Sequence, residues 1–172
     1  VGTEILTAKK IVIAAGARPT IPSIPGLEQV PYMTSTEALR NTKLPKSMII
    51  IGGGAVGCEF ACLFNELGTK VTIVEKMSGL LPGEDEQVVN VLRKSFEKRG
   101  IRIFDSVTVS DLKMKGGLWE MTLSNQNRIS AEKIAVCAGR KPNCDSLNLE
   151  KANIKSSAKG IEIDSELRTT NP

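Results

Sequence analysis

With 172 residues, 41% of them hydrophobic and 24% charged, the chain has the makeup of a folded globular protein with room for one well-packed domain, alone or with two partial flaps. A formal charge of +4, with bases set among acids as in Glu97-Lys98-Arg99 and only 3% aromatic residues, excludes the basic patches and stacking platforms of nucleic-acid binding. No apolar run is long enough to span a bilayer as a helix.

Residues 10–15 are predicted to form a buried strand, Ile11-Val12-Ile13-Ala14, followed by a loop punctuated by Pro19, Pro22, Pro25 and Pro31. Thr34-Ser35-Thr36-Glu37 has capping-box spacing and predicts a short helix that stops before Pro45. A second strand covers residues 47–51, then a glycine run, a helix over about 55–67 closed by Gly68, and a third strand over 70–75. This is one compact β-α-β unit, and its apolar strands suit a sheet covered on both faces. Residues 84–99 form an amphipathic helix with the stripe Val88, Val89, Leu92 and Phe96, acids at its positive end, bases at its negative end, and Gly100 as its stop. A strand over 101–104 follows. Residues 107–114, 118–123 and 129 onward then read as an antiparallel meander, with turns at Gly116-Gly117 and Asn125-Gln126-Asn127. A last apolar strand covers 134–138, and Ile161-Glu162-Ile163-Asp164 reads as one short edge strand.

The glycine run stands in a telling context: a strand before it, a helix after it, and an acid at the end of the next strand. Gly52 permits the tight turn, Gly54 leaves the backbone open to a pyrophosphate, and Gly57 lets the helix pack closely on the sheet. Gly53, Ala55 and Val56 complete the run, and the first-turn N–H groups face the phosphates. Glu75, 23 positions after Gly52, can accept hydrogen bonds from the adenosine ribose hydroxyls and repel a 2′-phosphate, which predicts NAD rather than NADP. Removing Glu75 is expected to cost about 1–2 kcal/mol of NAD affinity. Glu59 lies in a helix that is otherwise uncharged from Ala55 to Phe64. It reads equally as a solvent-facing acid near the positive helix end or as a carboxylate covered by another surface, where it needs a cation.

Cys58 and Cys62 share a helix face, Cys137 falls in a predicted strand and Cys144 in a loop; neither spacing nor neighbours suit zinc, and the chain has no histidine. They read as small hydrophobes kept reduced, which places the protein in the cytoplasm. The start, Val1-Gly2-Thr3-Glu4, shows neither a signal-peptide pattern nor an initiator methionine, and the end is Asn171-Pro172. The expectation is a piece of a longer protein.

These motifs, in this order, make the chain resemble the flavoprotein disulfide reductases, most of all the dihydrolipoyl dehydrogenase branch. Ile11-Val12-Ile13-Ala14-Ala15-Gly16-Ala17-Arg18-Pro19 is similar to the strand by which the family's FAD domain passes to its NAD domain. Leu44-Pro45-Lys46-Ser47, leading into Gly52 to Ala61, is similar to the NAD fingerprint, and Leu80-Leu81-Pro82-Gly83-Glu84-Asp85-Glu86 to a loop-helix entry frequent in the branch. Ala138-Gly139-Arg140-Lys141-Pro142-Asn143 resembles the family's strand-end loop beside the dinucleotide, and Leu167 to Pro172 its return segment to the FAD domain.

The resemblance implies an α/β, three-layer Rossmann-like NAD-binding domain: a parallel sheet with helices on one side and an antiparallel meander on the other. It implies residues 1–20 as the end of the FAD domain, 21–46 as a linker with a short helix, 47–145 as the NAD-binding domain and 146–172 as the return segment. It further implies that Glu59 pairs with a flavin-side lysine, that small Ala55 stands where NADPH-dependent relatives often carry a gating tyrosine, and that Ala15, Gly16 and Ala17 touch FAD. Val107 and Gly139 lie beside the dinucleotide in the family; from the residues alone they read equally as a core valine and a turn glycine. The implied parent moves electrons from a dithiol to a protein disulfide, to FAD and, as hydride, to NAD, and is a homodimer that joins a lipoyl-bearing complex. The family's redox cysteine pair and catalytic histidine have no counterpart here, Cys58 and Cys62 having the wrong spacing. No catalytic residue and no metal is therefore expected in this chain, which is predicted to be inactive alone. A stand-alone NAD-sensing or scaffold domain is the rival reading; NADH oxidases, mercuric reductases and transhydrogenases are the alternatives within the family.

Overall fold

Strands and helices alternate along the chain in the computed structural model, which describes residues 5–171; Val1 to Glu4 and Pro172, the last residue of the predicted return segment, lie outside the described residues. In chain order the elements are β1 (Ala17–Pro19), α1 (Ser35–Leu39), β2 (Ser47–Ile51), α2 (Ala55–Glu66), β3 (Lys70–Val74), α3 (Glu86–Lys98) and β4 (Arg102–Phe104). Then come β5 (Val109–Lys115), β6 (Leu118–Leu123), β7 (Arg128–Ala131), β8 (Lys133–Val136), β9 (Arg140–Pro142), β10 (Ser156–Ser157) and β11 (Gly160–Ile161), with 3-10 turns at Leu27–Gln29 and Leu149–Ala152. By contact the chain divides into two units: Pro19–Gly139, and Val1–Arg18 with Arg140–Pro172.

The larger unit is built on a parallel sheet in the order β4-β3-β2-β8. Successive side chains of a strand leave opposite faces, and β2 uses both. Met48 and Ile50 join Val71, Ile73 and Ala135 under Cys58, Phe60, Ala61 and Phe64 of α2 and Val89 and Phe96 of α3. Ile49 and Ile51 join Val74, Ile134 and Val136 against Leu112, Trp119, Met121, Leu123 and Ile129 of the β5-β6-β7 meander. The result is the three-layer α/β arrangement predicted, helices on one side and an antiparallel sheet on the other. A strand apolar on both faces is the sequence signature of that double cover.

The starts of α1 and α3 are set by side-chain oxygens. Thr34 and Glu37 form the capping box of α1, the Glu37 carboxylate accepting the Thr34 N–H at 2.8 Å. Asp85 accepts from the Gln87 and Val88 N–H groups at 2.9 and 3.2 Å; such a cap is worth about 1 kcal/mol. One predicted member of the α3 stripe is misplaced: Val88 is 62% exposed, while Val89 and Phe96 are buried and Leu92 is partly buried. The helix meets the sheet along the narrow seam 89, 92, 96, and Val88, one residue off at about 100° per residue, falls outside it.

In the smaller unit β1 pairs with β9, and β10 with β11 in a short antiparallel ladder. Arg18 donates to Asn143 Oδ1 at 3.0 Å and to the Pro142 carbonyl at 3.3 Å, and forms an ion pair with Asp145. The predicted buried strand at Ile11-Val12-Ile13-Ala14 is corrected: these residues are in no strand, and Ile11 and Val12 are 78% and 88% exposed. Among the described residues no strand pairs with them, so neither the ladder nor the cover implied by their composition is present. The predicted edge strand 161–164 is also shorter, ending at Ile161, and Asp164 instead accepts from Arg168. β1, β9 and the 3-10 turn at Leu149–Ala152 carry no hydrophobic period that would have marked them.

Candidate functional site

The glycine run lies at the carboxyl end of β2, beside the carboxyl ends of β3 and β8, where open α/β sheets hold their ligands. Each glycine has its own reason to be there. Gly52 has φ +112°, and a Cβ on it would sit 2.3 Å from the Cys137 carbonyl oxygen. A Cβ on Gly57 would sit 2.0 Å from the Gly52 carbonyl oxygen, so the first turn of α2 rests directly on the strand end. At Gly54 a Cβ would meet nothing within 4 Å: this side of the loop is open.

Gly54 is the N-cap of α2, which has no side-chain cap and no acid in its first turn, unlike α1 and α3. Ala55 and Val56, the first two helical residues, are exposed. The unsatisfied first-turn N–H groups and the positive end of the helix suit an anion there.

Glu75 follows the last residue of β3 and is 8% exposed. Its Oε2 accepts the Gly53 N–H at 2.5 Å and its Oε1 the Met77 N–H at 2.6 Å. Its own N–H donates to the Phe104 carbonyl at 2.8 Å, and its carbonyl accepts the Val107 N–H at 3.1 Å. The acid is therefore fixed at the glycine loop from both ends, and each carboxylate oxygen keeps a lone pair. Lys76, its neighbour, is exposed.

The structure brings Gly52 to Gly57, Glu75, Val107 and Gly139 together in the larger unit. Val107 is buried with the meander core, and Gly139, exposed with φ +100°, lies three residues past β8. Ala15, Gly16 and Ala17 belong to the smaller unit, where the Asn143 amide groups donate to the Ala15 and Gly16 carbonyls at 3.0 Å each. Glu59 is exposed on α2 between exposed Val56 and Leu63, and forms no ion pair among the described residues. Among the described residues α2 is covered on its sheet side only, so Glu59 faces outward.

Sequence reasoning missed the residues that grip Gly53. The Leu81 N–H donates to the Gly53 carbonyl at 2.8 Å, the Cys58 thiol donates to the same oxygen at 3.3 Å, and buried Leu80 packs beside it. The signal was a glycine at position 53, between two glycines whose motif asks for none there.

All four cysteines are free thiols, and no group of three or more metal-binding side chains occurs among the described residues. Burial pushes the Cys58 thiol up to about 11, with Cys62, Glu75 and Glu59 adding to it, and burial alone pushes Cys137 up to about 11. Both thiols are therefore protonated and slow to alkylate at neutral pH. An unfolded chain releases these protons near the ordinary value of 9.0, while the folded chain holds them to about 11. Their linkage leaves stability flat below that window and lowers it as pH rises through the window. Unfolding midpoints across that range should fall more steeply for the wild type than for Cys58→Ser/Cys137→Ser; equal slopes would contradict this.

The family model described as pyridine nucleotide-disulphide oxidoreductase matches residues 1–172, the whole chain. The chain belongs to this family. Among curated relatives, it is 33% identical to a mercuric reductase of Staphylococcus aureus, over 99% of this chain and 32% of that protein. It is also 33% identical to a dihydrolipoyl dehydrogenase of Bacillus subtilis (strain 168), over 99% of this chain and 38% of that protein. The HOCl-induced flavoprotein disulfide reductase RclA from Escherichia coli superimposes with a TM-score of 0.84 at 30% identity, over 91% of this chain and 36% of that one. The chain spans about a third of the length of the family members it matches. No helix of the described residues is long and apolar enough to cross a membrane.

Proposed function

We propose that the chain is the NAD(H)-holding domain of an FAD-dependent disulfide oxidoreductase of the dihydrolipoyl dehydrogenase type. The carrying observation is the pairing of an open, uncapped glycine turn at Gly54 with a carboxylate, Glu75, fixed at the end of the neighbouring strand. The first supplies N–H donors for a pyrophosphate, the second acceptors for ribose hydroxyls. Residues 47–145 form this domain, residues 1–20 and 146–172 lead from and back to the FAD domain, and 21–46 link them. Bound NAD would take up the hydride that the flavin hands on. In this chain Gly54, Ala55 and Val56 orient the phosphates, Gly52 and Gly57 let strand and helix close on them, and Glu75 selects the unphosphorylated ribose. Gly139 and Val107 border the same crevice, and Ala15, Gly16 and Ala17 serve the flavin. Exposed Glu59 is left for a cation of the FAD domain. The whole protein is then a homodimer that serves a lipoyl-bearing complex, and its free thiols suit the cytoplasm.

The likeness to mercuric reductases supports a second substrate reading for the whole protein, with the same role for this domain. A stand-alone NAD module is the weaker reading, because α2 leaves Val56 and Leu63 exposed around Glu59. Calorimetric titration of the chain should show NAD binding at least about tenfold tighter than NADP, or about 1.4 kcal/mol. Equal affinities would remove the role of Glu75, and no binding of either would overturn the assignment. The chain alone should turn over no dithiol with NAD, and turnover without added flavoprotein would contradict that.

A further inference from the structure

We infer that Leu80 and Leu81 are positioning residues for dinucleotide selectivity: they hold the Gly53 peptide against Glu75 and so preset the carboxylate that meets the ribose. The inference rests on the NAD assignment above and goes beyond it, since it places the origin of selectivity outside the glycine run and its acid.

Three contacts converge on one residue. The Gly53 N–H is taken by Glu75 Oε2 at 2.5 Å, and its carbonyl by the Leu81 N–H at 2.8 Å and the Cys58 thiol at 3.3 Å. Leu80, 2% exposed, puts its Cδ2 2.8 Å from where a Gly53 Cβ would be, while the Glu75 Cβ and Cγ lie at 3.2 and 3.3 Å. Leu80 and the Glu75 stem thus fill the space a side chain at 53 would need and confine the Gly53 peptide beside the acid. Leu81 delivers its N–H from φ +47°, a left-handed backbone that a leucine adopts only when its surroundings enforce it. With the Gly53 N–H taken, phosphate donors must come from residues 54 onward, which sets where the pyrophosphate lies relative to the acid. A rigid acceptor discriminates against a 2′-phosphate because it cannot swing away; a mobile one can.

The test measures NAD and NADP affinity of the full chain for wild type, Gly53→Ala, Leu80→Ala and the double variant, with folding checked by circular dichroism. Each single variant should lower the NAD-to-NADP affinity ratio about tenfold. The double variant should recover part of the loss, because Leu80→Ala removes the atom that the new methyl strikes. In the ligand-free chain, hydrogen exchange at the Gly53 amide should be slow in wild type and accelerate about tenfold in Leu80→Ala. Should Leu80→Ala not fold, Leu80→Val, shorter by one carbon, takes its place. A merely structural role would lower both affinities alike and leave the ratio unmoved. Unchanged ratios in the singles, or a double variant with no recovery, overturn this inference while the NAD assignment stands. Failure of the wild type to bind either dinucleotide overturns both.

Discussion

Gly57→Ala should destabilise the chain and abolish measurable NAD binding, although alanine is the better helix former. Propensity alone favours the substitution by about 1 kcal/mol. Against this, the new Cβ would lie 2.0 Å from the Gly52 carbonyl oxygen and 3.0 Å from its carbon, both backbone atoms at the end of β2. Carbon needs roughly 3.5 Å from such neighbours, so α2 must lift by about 1 Å or more. Overpacking of this kind costs about 1–3 kcal/mol, and it displaces the N–H groups of the helix start from the crevice. Gly54→Ala provides the contrast, because its Cβ meets nothing within 4 Å. Its stability should stay within about 1 kcal/mol of wild type, the size of an N-cap change. Its NAD affinity should still fall at least about tenfold, because in the proposed site the pyrophosphate takes that space. Urea unfolding and NAD titration of both variants separate the cases. Wild-type stability and binding in Gly57→Ala would contradict the packing role, and wild-type binding in Gly54→Ala would contradict close approach of the pyrophosphate.

Glu75→Ala should cost stability in the absence of any ligand. The sequence argues only for lost ribose bonds, about 1–2 kcal/mol of affinity. In the structure the carboxylate also accepts the Gly53 and Met77 N–H groups at 2.5 and 2.6 Å, in a residue 8% exposed. Removing it leaves two donors without their acceptor, at about 1–3 kcal/mol each where water does not reach them. A loss of about 2–6 kcal/mol is expected, which is a large share of a domain's total stability. Glu75→Gln keeps one acceptor oxygen but turns an amide NH₂ toward the other N–H, so it should fall between. Denaturant unfolding of the ligand-free proteins checks this; an Ala variant as stable as wild type would show that the acid does not fix the loop.

Most of the larger unit was legible because each element carries its own physical mark. Met48-Ile49-Ile50-Ile51 is apolar on both faces, Thr34 and Glu37 stand at capping-box spacing, and Gly68 and Gly100 close their helices in left-handed conformations. What was illegible depends on surroundings. Ile11-Val12-Ile13-Ala14 has a strand's composition, but a ladder needs a neighbour, and composition does not say whether one is present. Val88 fits the helical period yet lies outside the narrow seam of α3. In the candidate site, the roles of Gly52, Gly54 and Gly57 follow from a spacing tied to a strand-turn-helix. The clamp on Gly53 does not, because Leu81 is brought to it by a loop whose left-handed backbone no leucine advertises.

The exposed run at Ile11 and Val12 has a consequence for the chain in concentrated solution. Ile11-Val12-Ile13-Ala14, three of them β-branched and paired with no strand among the described residues, are a template for pairing with another copy and for aggregation. Lys9 and Lys10 stand directly before them as charged gatekeepers, repelling the same pair on an approaching molecule. High salt screens that repulsion while leaving the apolar run as adhesive as before.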